Sequence, residues 1–434
     1  MSHGLMTFQK EDAGDVFIGG VSVKSLVAQY QTPLYVIDEA TVRQQCRLYT
    51  QVSEWIDQSL ILYASKANNN VGLLNVVADE GLGVDVVSGG ELYTALKSRV
   101  KRDQIYFHGN NKSKVELDLA IENDTRIVVD HMQELALIQQ LALEKKRQVY
   151  VMLRVKPEIQ VHTHQHIQTG QAESKFGIER EELIPAVKQI QADPYLTFLG
   201  IHSHIGSQIL ESTPYEKLVD VMVEYLIDIR KQVGCEVTEL NFGGGFGIAY
   251  LQGDEGFDVT GSLKVLLARF KVACQKIDYP IPKVLFEPGR SIVGSAGVTL
   301  YQVGAVKRIP DVKTFLFVDG GMADNPRRIM YQAEYEFDLV QMGDLSSDKE
   351  SYSIAGKFCE TGDILAENVA LPKAAIGDIV VVYATGAYNY SMSSTYNRCC
   401  RPAMVMVNEG KSFPLIRRET YEHLIQHDVI EESS

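Results

Sequence analysis

The 434-residue chain carries 42 Lys and Arg against 56 Asp and Glu, a formal net charge of −14, with 45% hydrophobic and 23% charged residues. That is the balance of an ordinary globular protein, and the acidic excess excludes nucleic acid as partner, because phosphate backbones need concentrated Lys and Arg. The length exceeds the size at which one core stops growing, so two domains are expected.

The opening stretch MSHGLMTFQKEDAGD is polar and lacks an apolar h-region, so no secretory signal is read there. Residues 16–35 are strand-like, and 39–50 follow as a helix-like segment. From residue 60 a unit of short apolar strand, turn and amphipathic helix recurs. Eight strands are predicted, at 61–64, 84–87, 105–108, 127–130, 150–155, 198–202, 239–242 and 284–287. Helices at 91–99, 114–122, 132–146 and 218–231 have apolar residues at three- and four-residue spacing. Eight such units imply a closed parallel barrel, an α/β (β/α)8 TIM fold. No helix is evident after the eighth strand, a gap that 39–50 could fill.

After residue 290, strand-like runs recur without intervening helices, at 298–306, 314–318, 352–355, 379–384 and 403–407. They predict an all-β C-terminal domain, sandwich- or barrel-like. The expected division is a barrel over 37–288, with 1–36 and 289–434 forming the β domain. The longest β-rich apolar run, 379–384, is far too short to span a bilayer. Six cysteines (Cys46, Cys235, Cys274, Cys359, Cys399 and Cys400) show no CxxC pair, which fits a reduced, cytoplasmic chain. Adjacent Cys399 and Cys400 read as packing residues.

Barrels carry their chemistry at the C-terminal ends of the strands. In chain order those ends hold Lys66; Asp85, Ser88 and Glu91; His108 and Asn110; and Arg154. His202, His204 and Ser207 follow, then Gly243, Gly244 and Gly245, and finally Glu287 and Arg290. A glycine loop and an arginine on the last two strands are where barrels commonly hold a phosphate, since glycines let backbone N–H groups turn toward an anion. GGGFG alone serves tight turns equally well. With an imine-forming lysine, a stacking histidine and a buried acid, the set describes a pyridoxal 5'-phosphate site.

These residues lie in motifs that resemble the diaminopimelate decarboxylase family, of the alanine-racemase-like fold type. The likeness runs from TPLYVIDEATVR (32–43) to RRETYE (417–422). Between them stand YASKA, DVVSGGELYTAL, FHGNNKS, HTHQHIQTGQAESKFG, HSHIGSQI, LNFGGGFGI, EPGRSIVG, CETGD and GAYNYSMSSTYN. The resemblance implies a barrel plus β domain, a homodimer with shared active sites, and conversion of meso-diaminopimelate to L-lysine and CO2. It implies Lys66 as the Schiff-base lysine, His204 stacked on the cofactor ring, and Glu287 at the pyridine nitrogen. Ser207, Gly243, Gly244, Gly245 and Tyr388 become phosphate contacts, and Asp85, Ser88, Pro288, Gly289 and Arg290 line the cofactor. Cys359 becomes the acid that protonates the product, while Arg290, Arg327, Tyr331, Glu360 and Tyr388 grip substrate. One stretch departs from the family pattern: DGGMADNPRRIMY has Arg328 where proline is usual.

Three other readings compete. His162, His164 and His166 alternate, as do His202 and His204, and alternating histidines can ligate zinc in a metal-dependent hydrolase. A non-enzymatic pyridoxal-phosphate binder would not need Cys359 or the substrate arginines. Ornithine or lysine decarboxylation and amino-acid racemisation use the same fold.

Overall fold

The structure, a computed structural model, describes residues 4–11, 14–159 and 175–429. It divides into two compact units, one of Arg43–Ile248 and Glu255–Ile292, the other of Met1–Val42, Ala249–Asp254 and Val293–Ser434. The segments Glu39–Val42 and Ala249–Asp254 thus cluster with the β-rich unit, although sequence order alone would give them to the barrel. The histidine-rich stretch 162–166 lies outside the described residues.

The first unit is a closed barrel of eight strands: Ser59–Ala64, Gly83–Val86, Ile105–Phe107, Arg126–Val129, Val149–Arg154, Leu196–His202, Glu239–Asn241 and Lys283–Phe286. Every pairing is parallel, and Val284 beside Ser59 closes the ring. Strands covered on both faces read as continuous apolar runs, which is why LILYA and RIVV stand out in the chain. Leu60, Leu62, Tyr106, Val128, Met152 and Leu285 fill the interior. Truncating fully buried Leu62 to Ala would cost ~2–5 kcal/mol.

Helices start where the sequence offers caps. Asn70 caps Val71–Asp79, Ser88 caps Gly89–Leu96, and Ser113 with Glu116 forms a capping box for Lys114–Glu122. A single helical turn, Arg290–Val293, does follow the eighth strand after all. The Glu39–Thr50 helix precedes the first strand as expected.

The second unit is built on a nine-stranded sheet. Leu34–Asp38 lies in it between Gly297–Ile309, antiparallel, and Ala403–Asn408, parallel. Two apolar clusters cover the unit, one around Val36, Leu300 and Val405, the other around Tyr301, Leu316 and Val380. Residues 16–35 are not one strand-like stretch, because Val23–Tyr30 is a helix. The Ser22 hydroxyl accepts the N–H of Ser25 and caps it, overriding the apolar run that suggested a strand. Nor is the unit purely β, since Arg327–Tyr331 and Tyr421–Ile425 are short helices. Cys399 and Cys400 are half-exposed rather than core residues.

Candidate active site

The barrel rim gathers the predicted groups. Lys66 follows the first strand in a 3-10 turn, Ser65–Ala67, and its charge acts on Asp85, Glu91 and His204. Glu91 is fixed by the Ser65 hydroxyl at 3.1 Å and the Val87 N–H at 2.8 Å. Ser88 is committed as a helix cap, with Oγ 3.2 Å from the Glu91 N–H. Glu287 is buried at the end of the eighth strand. Asn241 Nδ2 and His202 Nε2 donate to its two oxygens at 2.7 and 3.1 Å, and His108 Nε2 stands 2.8 Å from Oε1. Burial would raise the Glu287 carboxyl, but these imidazoles hold it well below the usual range, so it is ionised. Burial pushes Asp85 up instead, and its buried Oδ1 has no hydrogen-bond partner among the described residues.

His204 accepts the Gly244 N–H on Nδ1 at 3.2 Å. Burial, with the charges of Lys66 and Arg154, keeps it well below its ordinary value and therefore neutral. Arg290 donates to the Ser207 hydroxyl at 3.0 Å. The glycines are sterically required: a Cβ on Gly244 would lie 1.9 Å from the Glu287 carbonyl oxygen, and Gly245 has φ +100. The Gly243 and Gly244 N–H groups already donate, to Asn241 and His204. Among the described residues the Gly245 N–H has no acceptor. Pro288 and Gly289 knit the barrel seam: the Ala64 N–H donates to the Pro288 carbonyl at 3.0 Å, and a Cβ on Gly289 would meet Ala64 at 2.9 Å.

The β-rich unit holds the rest. Arg327 is 7% exposed, and its Nη1 donates to the hydroxyls of Tyr250 and Tyr335 at 2.9 and 2.8 Å. Burial disfavours its charge, yet the two phenols hold its pKa above the ordinary arginine value. No carboxylate among the described residues lies within ion-pair distance of it. Neighbouring Arg328 is more exposed and stands 3.8 Å from Glu334, while Tyr331 ends the same short helix. Cys359 is exposed, its N–H donating to Asn397 Oδ1 at 3.1 Å, and Glu360 accepts the Tyr396 hydroxyl. Tyr388 has φ +61, a strained setting for a non-glycine residue, next to Asn389, whose amide is locked onto the Thr385 carbonyl at 3.0 Å.

Residues 39–294 match the family described as pyridoxal-dependent decarboxylase, pyridoxal binding domain. The diaminopimelate decarboxylase of Synechocystis is 44% identical over 429 residues, covering 96% of this chain and 91% of that one. The Bacillus subtilis enzyme of that name is 40% identical over 433 residues, covering 98% of each. This chain belongs to the diaminopimelate decarboxylase family. The M. jannaschii diaminopimelate decarboxylase, solved in complex with L-lysine, superposes with a TM-score of 0.92 at 33% identity, covering 98% of each chain. The Vibrio vulnificus lysine/ornithine decarboxylase, at 21% identity and a TM-score of 0.74, shares the fold.

Within this family's frame, the rim fits pyridoxal 5'-phosphate. A buried ionised carboxylate, an open Gly245 N–H, the Arg290–Ser207 pair and an unpartnered buried Asp85 oxygen are what its ring and phosphate would use. His108, His202 and Glu287 could also be read as a metal triad. Their contacts of 2.8 and 3.1 Å are hydrogen-bond distances, whereas nitrogen and oxygen ligands ~2.0–2.2 Å from a tetrahedral zinc stand ~3.3 Å apart. Sequence reasoning did not single out Tyr250, Tyr335 or Asn241. Two lone phenols carry no motif, and Asn241 precedes the glycines without announcing which partners it joins.

Proposed function

We propose that this chain decarboxylates meso-2,6-diaminopimelate to L-lysine and CO2, the last step of lysine biosynthesis, as a homodimer with shared active sites. The observation that carries the substrate choice is Arg327, a buried cation whose guanidinium hydrogen-bonds neutral hydroxyls and no carboxylate among the described residues. An uncompensated buried charge costs several kcal/mol, so the site favours an anion, and a planar guanidinium suits a carboxylate best. A substrate ending in a bare amine would be repelled there. Diaminopimelate ends in a second carboxylate.

Bound pyridoxal 5'-phosphate supplies an electron sink for the pair left when CO2 departs. Lys66 provides the amine that carries it. Neutral His204 offers a ring face without adding charge. Ionised Glu287 would keep a proton on the ring nitrogen, and Asp85 would line the same cofactor site. Ser207, Arg290, Tyr388 and the Gly245 N–H would hold the phosphate, and Gly243 and Gly244 shape that loop. Arg290, Arg327, Tyr331 and Tyr388 grip the substrate carboxylates, and Glu360 of the partner subunit pairs with the distal ammonium. The Cα–carboxylate bond breaks and CO2 leaves. Cys359 of the partner subunit then delivers a proton, so a C–H bond replaces the C–C bond.

The test is incubation of purified protein with meso-diaminopimelate, lysine, ornithine and arginine, reading CO2 and product for each. CO2 from diaminopimelate alone, with L-lysine formed, is expected. Preference for lysine or ornithine would overturn the assignment.

A further inference from the structure

We propose that His108 and His202 are positioning residues that lock the site's negative charge onto Glu287 rather than Asp85. This rests on the reading of Glu287 as partner of the ring nitrogen. The two carboxylates share one buried pocket, and neighbouring carboxylates in such a place do not both ionise easily. His108 stands between them, with Nε2 2.8 Å from Glu287 Oε1 and 3.8 Å from Asp85 Oδ1. His202 donates only to Glu287, at 3.1 Å. The two rings meet edge to face, centroids 4.6 Å apart at 73°, so each limits the other's rotation.

Hydrogen-bond accounting sets the tautomers. An ionised carboxylate only accepts, so the proton facing Glu287 is on Nε2 of His202. The third partner is equally constrained. Asn241 Oδ1 accepts the Gly243 N–H at 2.8 Å, which turns its NH2 toward Glu287. Glu287 therefore has two hydrogen-bond donors, Asn241 and His202, with His108 Nε2 in close contact at 2.8 Å. Among the described residues Asp85 Oδ1 has no hydrogen bond and only the 3.8 Å approach of His108. Among the described residues His202 Nδ1 is also buried without a partner, an arrangement with a desolvation cost. The fold accepts that cost in placing Nε2 on the carboxylate. Burial holds His202 down to about 4, so the clamp acts through a neutral imidazole. The other charged or titratable groups facing the pocket among the described residues are Lys66, Glu91, Arg154 and His204.

The test uses cofactor-loaded protein with His108→Leu, His202→Leu and His202→Asn, whose amide is too short to reach Glu287. His108→Gln and His202→Gln carry an amide nitrogen at about the reach of Nε2. Two readouts are taken: the pH titration of the cofactor's visible absorbance, and the acid limb of kcat at saturating meso-diaminopimelate. The Leu and Asn variants should move both upward by about one pH unit, lowering kcat about tenfold on the acid limb while the neutral plateau and KM stay near wild type. The Gln variants should stay near wild type. Leu and Asn variants with a wild-type titration would overturn the clamp. Glu287→Gln separates the two ideas. If it retains turnover within a few-fold, the reading of Glu287 itself fails; if it collapses while the histidine variants behave as wild type, only the clamp fails.

Discussion

In the barrel unit, the buried charges of Lys112 and Glu287 meet buried partners; in the β-rich unit, the buried Arg327 meets no carboxylate among the described residues. Lys112 and Glu134, both almost fully buried, stand 2.6 Å apart, and Glu287 has two imidazoles and an amide around it. Among the described residues the Arg327 guanidinium bonds to two phenols and no carboxylate, while Cys359 reaches the surface and the Glu360 carboxylate accepts the Tyr396 hydroxyl. The barrel is electrostatically complete around its own carboxylate. We propose that the β-rich unit's groups find their partners elsewhere, Arg327 in the substrate and Cys359 and Glu360 in another subunit's site.

The sharpest break of this contrast is on the barrel side. A lysine of ordinary pKa is a poor nucleophile at neutral pH, but as the cofactor's anchor it is displaced by an incoming amine. Lys66→Ala should abolish the adduct fixed by borohydride and nearly all turnover. Peptide mapping that finds the adduct on another lysine would contradict the site.

Next in size is Arg327. Arg327→Ala should reduce kcat/KM for meso-diaminopimelate several hundred-fold or more, about 3–5 kcal/mol, with cofactor absorbance unchanged. Arg327→Met should be as inactive yet lose no stability in urea unfolding, because an apolar side chain of similar volume removes a charge the fold does not compensate. A marked loss of stability in Arg327→Met would mean the arginine is a structural element.

One buried group in each unit should also contribute a pH dependence of opposite sign. His202 is held at about 4 against 6.5, so its contribution is present above pH 6.5 and is lost as pH falls toward 4, about 3 kcal/mol. Burial raises Asp324 to about 7, so its contribution is present below 3.8 and is lost as pH rises toward 7, about 4 kcal/mol. The single tryptophan, Trp55, lies in the barrel unit and reports its unfolding by fluorescence. Hydrogen exchange in the buried strand Ile379–Val382 reports the other. His202→Gln should flatten the first dependence and Asp324→Asn the second. Variants whose pH profiles match wild type would refute these assignments.

The same contrast explains what was legible in the sequence. The barrel strands fall within about two residues of their predicted positions, because strands buried on both faces must be apolar runs. The strands Phe337–Val340, Ile364–Pro372 and Lys411–Ile416 went unread, since partly exposed antiparallel strands mix polar and apolar residues. Ser22 was a visible cap for Val23–Tyr30, outweighed by the strand-like residues after it. Rim residues were found because strand ends announce them, and His108 was noticed there without a role. Tyr250 and Tyr335 were not, for they meet at Arg327 from segments 77 and 8 residues away.

The most direct test of the account is subunit complementation. Lys66→Ala disables a barrel site, and Cys359→Ala disables the loop that a β-rich unit is proposed to lend to its partner's barrel. Each homodimer should be inactive. In verified mixed dimers, one of the two hybrid sites has both Lys66 and Cys359 intact, so about half of wild-type activity per dimer should return. Mixed dimers that remain as inactive as the parents would contradict the shared site and place Cys359 and Lys66 of one chain in the same centre.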